Sequence, residues 1–154
     1  KVATFGSGAG TVDDPWSIYC DQDANVYFSQ VRGNFRVQKL TAPAWEPGYV
    51  LYQHDIMDLD RFREPTDITL DDENKIFVVD AENGFVSKFQ NSGPDAGDLI
   101  DLGERGLAIA QFNSPSGILA TDRIVYVVEA GKNRIRRFQY SVSDEDLPDD
   151  DKKP

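Results

Sequence analysis

Three segments of this chain recur at a fixed pitch. Pro15-Trp16-Ser17-Ile18, Pro65-Thr66-Asp67-Ile68 and Pro115-Ser116-Gly117-Ile118 begin 50 residues apart. The same features follow each copy in the same order. A polar turn comes first: Asp21-Gln22-Asp23-Ala24-Asn25, Asp71-Asp72-Glu73-Asn74 and Thr121-Asp122-Arg123. An apolar strand comes next: Val26-Tyr27-Phe28, Ile76-Phe77-Val78-Val79 and Val125-Tyr126-Val127-Val128. A turn bearing Asn34, Asn83 or Asn133 then leads to a third strand that ends at Leu40, Phe89 or Phe138. A repeat of this length with several short strands per unit is the signature of a propeller blade or a solenoid rung.

Each unit reads as four strands bounded by Asp, Asn and Gly turns. The first strands are Trp16–Asp21, Thr66–Asp71 and Ser116–Thr121. The second are Asn25–Ser29, Lys75–Asp80 and Ile124–Glu129. The third are Phe35–Leu40, Gly84–Gln90 and Arg134–Gln139. The second strands are nearly continuous apolar runs, a pattern that demands burial on both faces. Blades stacked side by side provide that burial. Fourth strands fit at Tyr49–His54 and Asp98–Leu102. The third unit instead runs into an acidic tail, 144–154, with six acids and two lysines. Lys1–Gly6 precedes Pro15 much as Asp101-Leu102-Gly103 precedes Pro115, so it is expected to be an outer strand completing a third-type blade, beside Arg134–Gln139 of a partner chain or of a longer propeller. Ile18, Tyr27, Ile68, Phe77, Ile118 and Tyr126 occupy matching positions and are expected to be buried.

The fold expected is therefore all-β, with blades over about 15–54, 65–102 and 115–140 within a body of 1–143. Propellers close with about four to eight blades. Three cannot close, so either two chains pair or these blades belong to a longer propeller.

The segment from Phe112 through Pro115, Gly117, Ile118, Val125–Glu129, Gly131, Asn133, Arg134, Ile135 and Phe138 resembles an NHL repeat. That family's pattern runs F-x-x-P-x-G-I, an apolar Y-V strand, an acid, then G-N-x-R-I-x-x-F. The second unit is similar through Phe62, Pro65, Ile68, Asp71, Ile76–Asp80, Asn83 and Val86–Phe89. It departs at Asp67, where the pattern has Gly, and at Phe85, where it has Arg. The first unit has Ser17 in the Gly position and keeps Asn34, Arg36 and Val37. The resemblance implies a six-bladed type of propeller and specifies no activity, because function lives in sites grafted on the scaffold.

Candidate sites are few. The turns at Asp21 and Asp71 carry carboxylates that calcium could use, but they lack the EF-hand glycine and closing Glu and fall where hairpin turns are needed. Asp80 and Glu129 end equivalent strands and should bond backbone or a basic residue, with Arg134 and Arg36 as partners. Arg134, Arg136 and Arg137, beside Lys132, form the densest basic cluster. Alternation puts Arg134 and Arg136 on one side and Arg137 on the other. Trp45 and Tyr49 sit on or next to a Pro-rich loop and could serve recognition. His54 is the lone histidine. A lyase relative of the family uses several at a central zinc, which one histidine cannot build. Gly6–Gly10 lacks the Lys and helix of a phosphate loop. Cys20, the single cysteine, has no internal disulfide partner and reads as a small buried hydrophobe.

A formal net charge of −11 argues against nucleic acid and anionic membranes. Acidity, one Cys and a start other than Met point towards an extracellular or periplasmic setting. The leading reading is a non-catalytic scaffold for protein or peptide partners or for self-assembly, without cofactor. Alternatives are a propeller-type metal-dependent hydrolase or lyase and an RNA-binding NHL domain.

Overall fold

A computed structural model describes residues 4–6, 11–31, 35–44, 46–52, 62–89, 91, 99–108, 111–121 and 123–139. Among them every regular element is a strand except one 3-10 turn, Ala130–Lys132. Asn34, Trp45, His54 and the acidic tail lie outside the described residues.

Three antiparallel sheets follow the repeat. The first contains β3 (Pro15–Cys20), β4 (Val26–Gln30), β5 (Arg36–Thr41) and β6 (Glu46–Tyr52) in that order. The second contains β7 (Pro65–Leu70), β8 (Ile76–Asp80), β9 (Phe85–Phe89) and β10 (Leu99–Leu102). The third contains β13 (Pro115–Thr121), β14 (Ile124–Glu129) and β15 (Arg134–Gln139), three strands among the described residues. Chain order equals spatial order in each sheet, so every blade is a meander.

Two short parallel pairs connect the units. β1 (Thr4–Phe5) pairs with β2 (Thr11–Val12), and β11 (Glu104–Arg105) pairs with β12 (Gln111–Phe112). Of the expected outer strand Lys1–Gly6, the structure describes 4–6. Within it, Thr4–Phe5 pairs in parallel with the segment leading into the first blade, as Glu104–Arg105 does before the third. Thr4–Phe5 stands 100 residues before Glu104–Arg105, so the two parallel pairs occupy matching repeat positions.

In the first two blades the turn between first and second strands is an Asx turn. Asp21 Oδ1 accepts from the amides of Asp23 (3.0 Å) and Asn25 (2.8 Å). Asp71 Oδ1 accepts from those of Glu73 (2.9 Å) and Lys75 (2.8 Å). Ala24, Asn74 and Arg123 take the left-handed conformation at the same turn. The carboxylate thus substitutes for a backbone acceptor and fixes the hairpin. Gly84 takes φ +74°, and a Cβ there would sit 2.6 Å from Arg105 Cα, so only glycine fits.

Stacking of the sheets makes the core. β7 packs against β3 and β4 on one side and β13 on the other. One apolar cluster joins Tyr27 and Val37 of the first blade to Phe62, Ile68, Leu70, Ile76, Val78 and Phe89 of the second. The other joins Phe77, Val79 and Val86 of the second to Phe112, Ile118, Ala120, Val125 and Val127 of the third. β8 contributes Ile76 and Val78 to one joint and Phe77 and Val79 to the other, as the period of two requires. All five of its residues are buried, as its apolar run implied.

Terminal blades behave differently, and here the burial expectations divide. Ile68 and Ile118 are 3% and 9% exposed, but Ile18, at the same repeat position, is 72% exposed. Tyr27 and Phe77 are fully buried, whereas Tyr126 is half-buried. Cys20 is exposed, although its equivalents Leu70 and Ala120 are buried. Ile18, Cys20 and Tyr126 fail for one reason: each points to the side of its blade where no neighbouring blade stands. Phe77→Ala should cost about 3–5 kcal/mol in urea unfolding, the range for emptying a packed aromatic site. A loss below about 1 kcal/mol would contradict the assignment of β8 as an inner strand.

Candidate interaction site

A bulge recurs in the first strand of each blade, between Pro15 and Ile18, Pro65 and Asp67, and Pro115 and Gly117. A bulge re-aims the side chain it carries, and here it turns the residue at repeat position 17/67/117 towards the joints. Asp67 uses this placement to touch all three blades. Its Oδ1 accepts from Ser17 Oγ at 2.5 Å and from its own neighbour's amide, Ile68, at 2.9 Å. Its Oδ2 accepts from the Ile118 amide at 2.9 Å. Gly117 lies beside it: a Cβ there would make ordinary contact with Asp67 Oδ2 at 3.7 Å. The sequence marked this site only as a departure from the repeat pattern. The departure itself was the available signal.

A second polar stitch crosses the first joint. Asn91 Nδ2 donates to the Tyr27 hydroxyl at 2.8 Å, and that hydroxyl donates to Asp21 Oδ2 at 3.0 Å. Lys39 Nζ donates to Asn91 Oδ1 at 3.3 Å and lies 5.2 Å from the Tyr27 ring centre. Burial pushes the Asp21 carboxyl up, but hydrogen bonds from Asn25, Tyr27 and Asp23 outweigh it and hold it below its ordinary range.

Where the ends of the three first strands meet, a cleft of about 440 Å³ opens among Tyr19, Asp21, Thr69, Asp71, Leu119 and Thr121. Burial, then the charges of Asp21 and Asp72, push the Tyr19 hydroxyl up. Asp21 and Asp71 are committed to their turns. Among the described residues no three His, Cys, Asp or Glu side chains are grouped to hold a metal ion.

The acids ending the second strands bond as their repeat position implied. Asp80 accepts from the amides of Arg63 (2.7 Å), Glu64 (3.3 Å) and Asn83 (2.8 Å). Glu129, fully buried, accepts from Arg134 Nε at 2.8 Å and from the Asn113 amide at 3.2 Å. Arg136 and Lys132 lie 3.4 and 3.5 Å from the same carboxylate. Arg136 also donates to the Gln111 carbonyl at 3.0 Å and stacks on Phe112 and Phe138. Arg134 and Arg136 therefore share one anchor, as alternation required, and Arg137 faces the other way, opposite Tyr126. In the first blade Gln30 takes the acid's place and its Oε1 accepts from the Asp13 amide. Arg36 Nη2 donates to the Thr11 carbonyl at 3.0 Å, not to an acid of the second strand. Tyr49 pairs in register with Lys39. Trp45 lies outside the described residues.

Two apolar faces are left open. On the first blade Trp16 and Ile18 stand exposed over a cleft of about 340 Å³ floored by Val26, Phe28 and Leu40. On the third, Leu119, Tyr126, Val128 and Ile135 line a cleft of about 470 Å³. Contiguous apolar surface of this kind marks an interaction site.

Burial and pairing set the two equivalent acids apart. At Asp80 burial dominates and holds the carboxyl above its ordinary 3.8, despite the three amides. At Glu129 burial is outweighed by Arg134, the Asn113 amide and Lys132, and the carboxyl lies below its ordinary 4.5. The Glu129 contribution is thus complete above the unfolded value and lost as pH falls through the lower native one. Glu129→Gln, a residue the first blade already uses here, should flatten the fall in melting temperature below about pH 4.5. An unchanged acid limb would show that this cluster stores no pH-dependent stability.

Residues 62–89 match the NHL repeat, and no curated protein sequence matches the chain. The fold is similar to that of a chain in a nidogen/laminin complex, at 18% identity over 83% of this chain and 44% of that one, with a TM-score of 0.62. It is also similar to virginiamycin B lyase from Staphylococcus aureus, at 11% identity over 82% of this chain and 41% of that one, with a TM-score of 0.54. A catalytically inactive form of that lyase with quinupristin aligns at 18% identity over 84% and 42% of the two chains, with a TM-score of 0.51. This chain spans less than half the length of each. At such identities the likeness is one of fold: residues 62–89 carry an NHL repeat, and the chain is built of β-propeller blades.

Proposed function

We propose that this chain is a non-catalytic propeller scaffold whose work is binding protein. One observation carries the reading. The exposed apolar residues of the outer faces are repeat equivalents of residues that are buried where blades meet: Ile18 of Ile68 and Ile118, and Ile135 of Val37 and Val86. Such side chains are built to be covered by a protein surface. The polar groups support the same view. Asp21, Asp71, Asp80 and Glu129 hold turns and strand ends, and Arg134 and Arg136 spend charge on Glu129. That leaves the basic strand little with which to bind RNA. A neighbour of the same fold comes from a protein–protein complex. The overall acidity suits an exported setting, for which the sequence is the sole support.

The reading separates from a metal-dependent hydrolase or lyase by elemental analysis. Purified protein should carry no stoichiometric calcium or zinc, and EDTA should leave its melting temperature unchanged. One metal ion per chain held in the acidic cleft at Asp21 and Asp71 would overturn the proposal.

A further inference from the structure

The two open faces correspond to the two sides of a single kind of joint. Each internal joint pairs the trailing face of one blade with the leading face of the next. The trailing faces contribute Tyr27 and Val37 to the first joint and Phe77 and Val86 to the second. Strand register makes Tyr126 and Ile135 the third members of these two series. The leading faces contribute Ile68, Leu70, Ile76, Val78 and Phe89 to the first joint, and Ile118, Ala120, Val125, Val127 and Phe138 to the second. The same register makes Ile18, Cys20, Val26, Phe28 and Leu40 the remaining members. Of these, Ile18 and Cys20 on the leading face and Ile135 on the trailing face stand exposed, with Phe28 and Leu40 buried beneath; the two faces are the halves of a joint the chain already builds twice.

Polar detail continues the match. Arg137 stands opposite Tyr126 as Lys39 stands opposite Tyr27. At the first joint that tyrosine–cation pair receives Asn91 from the next blade. The same pair is set out on the open trailing face.

We infer that the occupant of both faces is a second copy of this chain, docked head to tail, so that the third blade of each protomer meets the first blade of the other. This deepens the scaffold reading and rests on it. Ring size selects the number of copies. Two copies give six blades, within the range of about four to eight in which propellers close, whereas three copies give nine. With two copies the head-to-tail contact closes on itself about a two-fold axis, the commonest oligomer symmetry. No end of the chain is left to extend into a filament.

The single cysteine reports on the leading face. Sedimentation equilibrium should give twice the chain's 17.2 kDa. In that state Cys20 should resist maleimide, and it should label once dilution separates the copies. Ile18→Asp and Ile135→Asp each place a charge at every joint and should each weaken association by roughly 100-fold or more. Both sites are exposed in the single chain, so circular dichroism and the melt of the dilute protein should not change. Mixing the two variants should restore a dimer, because one of its two joints then holds only unaltered faces. A mass of 17.2 kDa at every concentration, with Cys20 freely labelled, would overturn the inference and assign the faces to blades of another chain or of a longer one. A dimer that survives either substitution alone would overturn it too, by showing a face-to-face pairing. The metal analysis bears on the scaffold reading alone, so the two can fail separately.

Discussion

A strand buried on both faces requires a neighbour on each side, and β8 imposes that requirement here. Its alternation sends Ile76 and Val78 into the joint with the first blade and Phe77 and Val79 into the joint with the third. A lone four-stranded sheet could bury only one of these sets. Stacked sheets are the arrangement that satisfies both, and a stack has ends. The exposure of Ile18 and Ile135 follows from the same alternation that buries Val79.

Asp67 adds a polar constraint where apolar packing alone would let blades slide. It occupies the position that Gly117 fills in the third blade and Ser17 in the first. A carboxylate there can accept from both neighbours at once, whereas the glycine of the repeat pattern offers no acceptor. Its two oxygens reach Ser17 Oγ and the Ile118 amide, so one side chain sets the register of three sheets. The equivalent glycine leaves the trailing face of the third blade without such an anchor. Apolar contacts and the Tyr126–Arg137 pair would carry that joint.

Architecture was legible in the sequence because repetition averages out local ambiguity. Three aligned copies of Pro-x-x-Ile and of the apolar second strand fixed the strand pattern, and Glu129 with Arg134 could be paired from repeat position alone. Burial at the ends was not legible. Ile18 and Cys20 look identical in pattern to Ile68 and Leu70, and only the placement of blades distinguishes them. The parallel pairing of Thr4–Phe5 was not legible either. An apolar segment before a blade fits both an outer strand and the linker that follows it, and the linker's parallel pairing with Thr11–Val12 leaves no periodic trace. Asp67 showed itself only as an exception, since a pattern of repeats says nothing of contacts between them.

The exposure of repeat-equivalent positions depends on whether a blade covers them. Val79 and Val128 test this most directly. They match in repeat register, yet Val79 is fully buried and Val128 is 41% exposed. The measurement is urea unfolding of Val79→Asp and Val128→Asp, at concentrations low enough to keep the chain single. An unpaired charge buried at 79 should consume much of a domain's stability of about 5–15 kcal/mol. The same charge at 128 should leave the fold within about 0.5 kcal/mol of the parent. Equal damage at both positions would contradict the account.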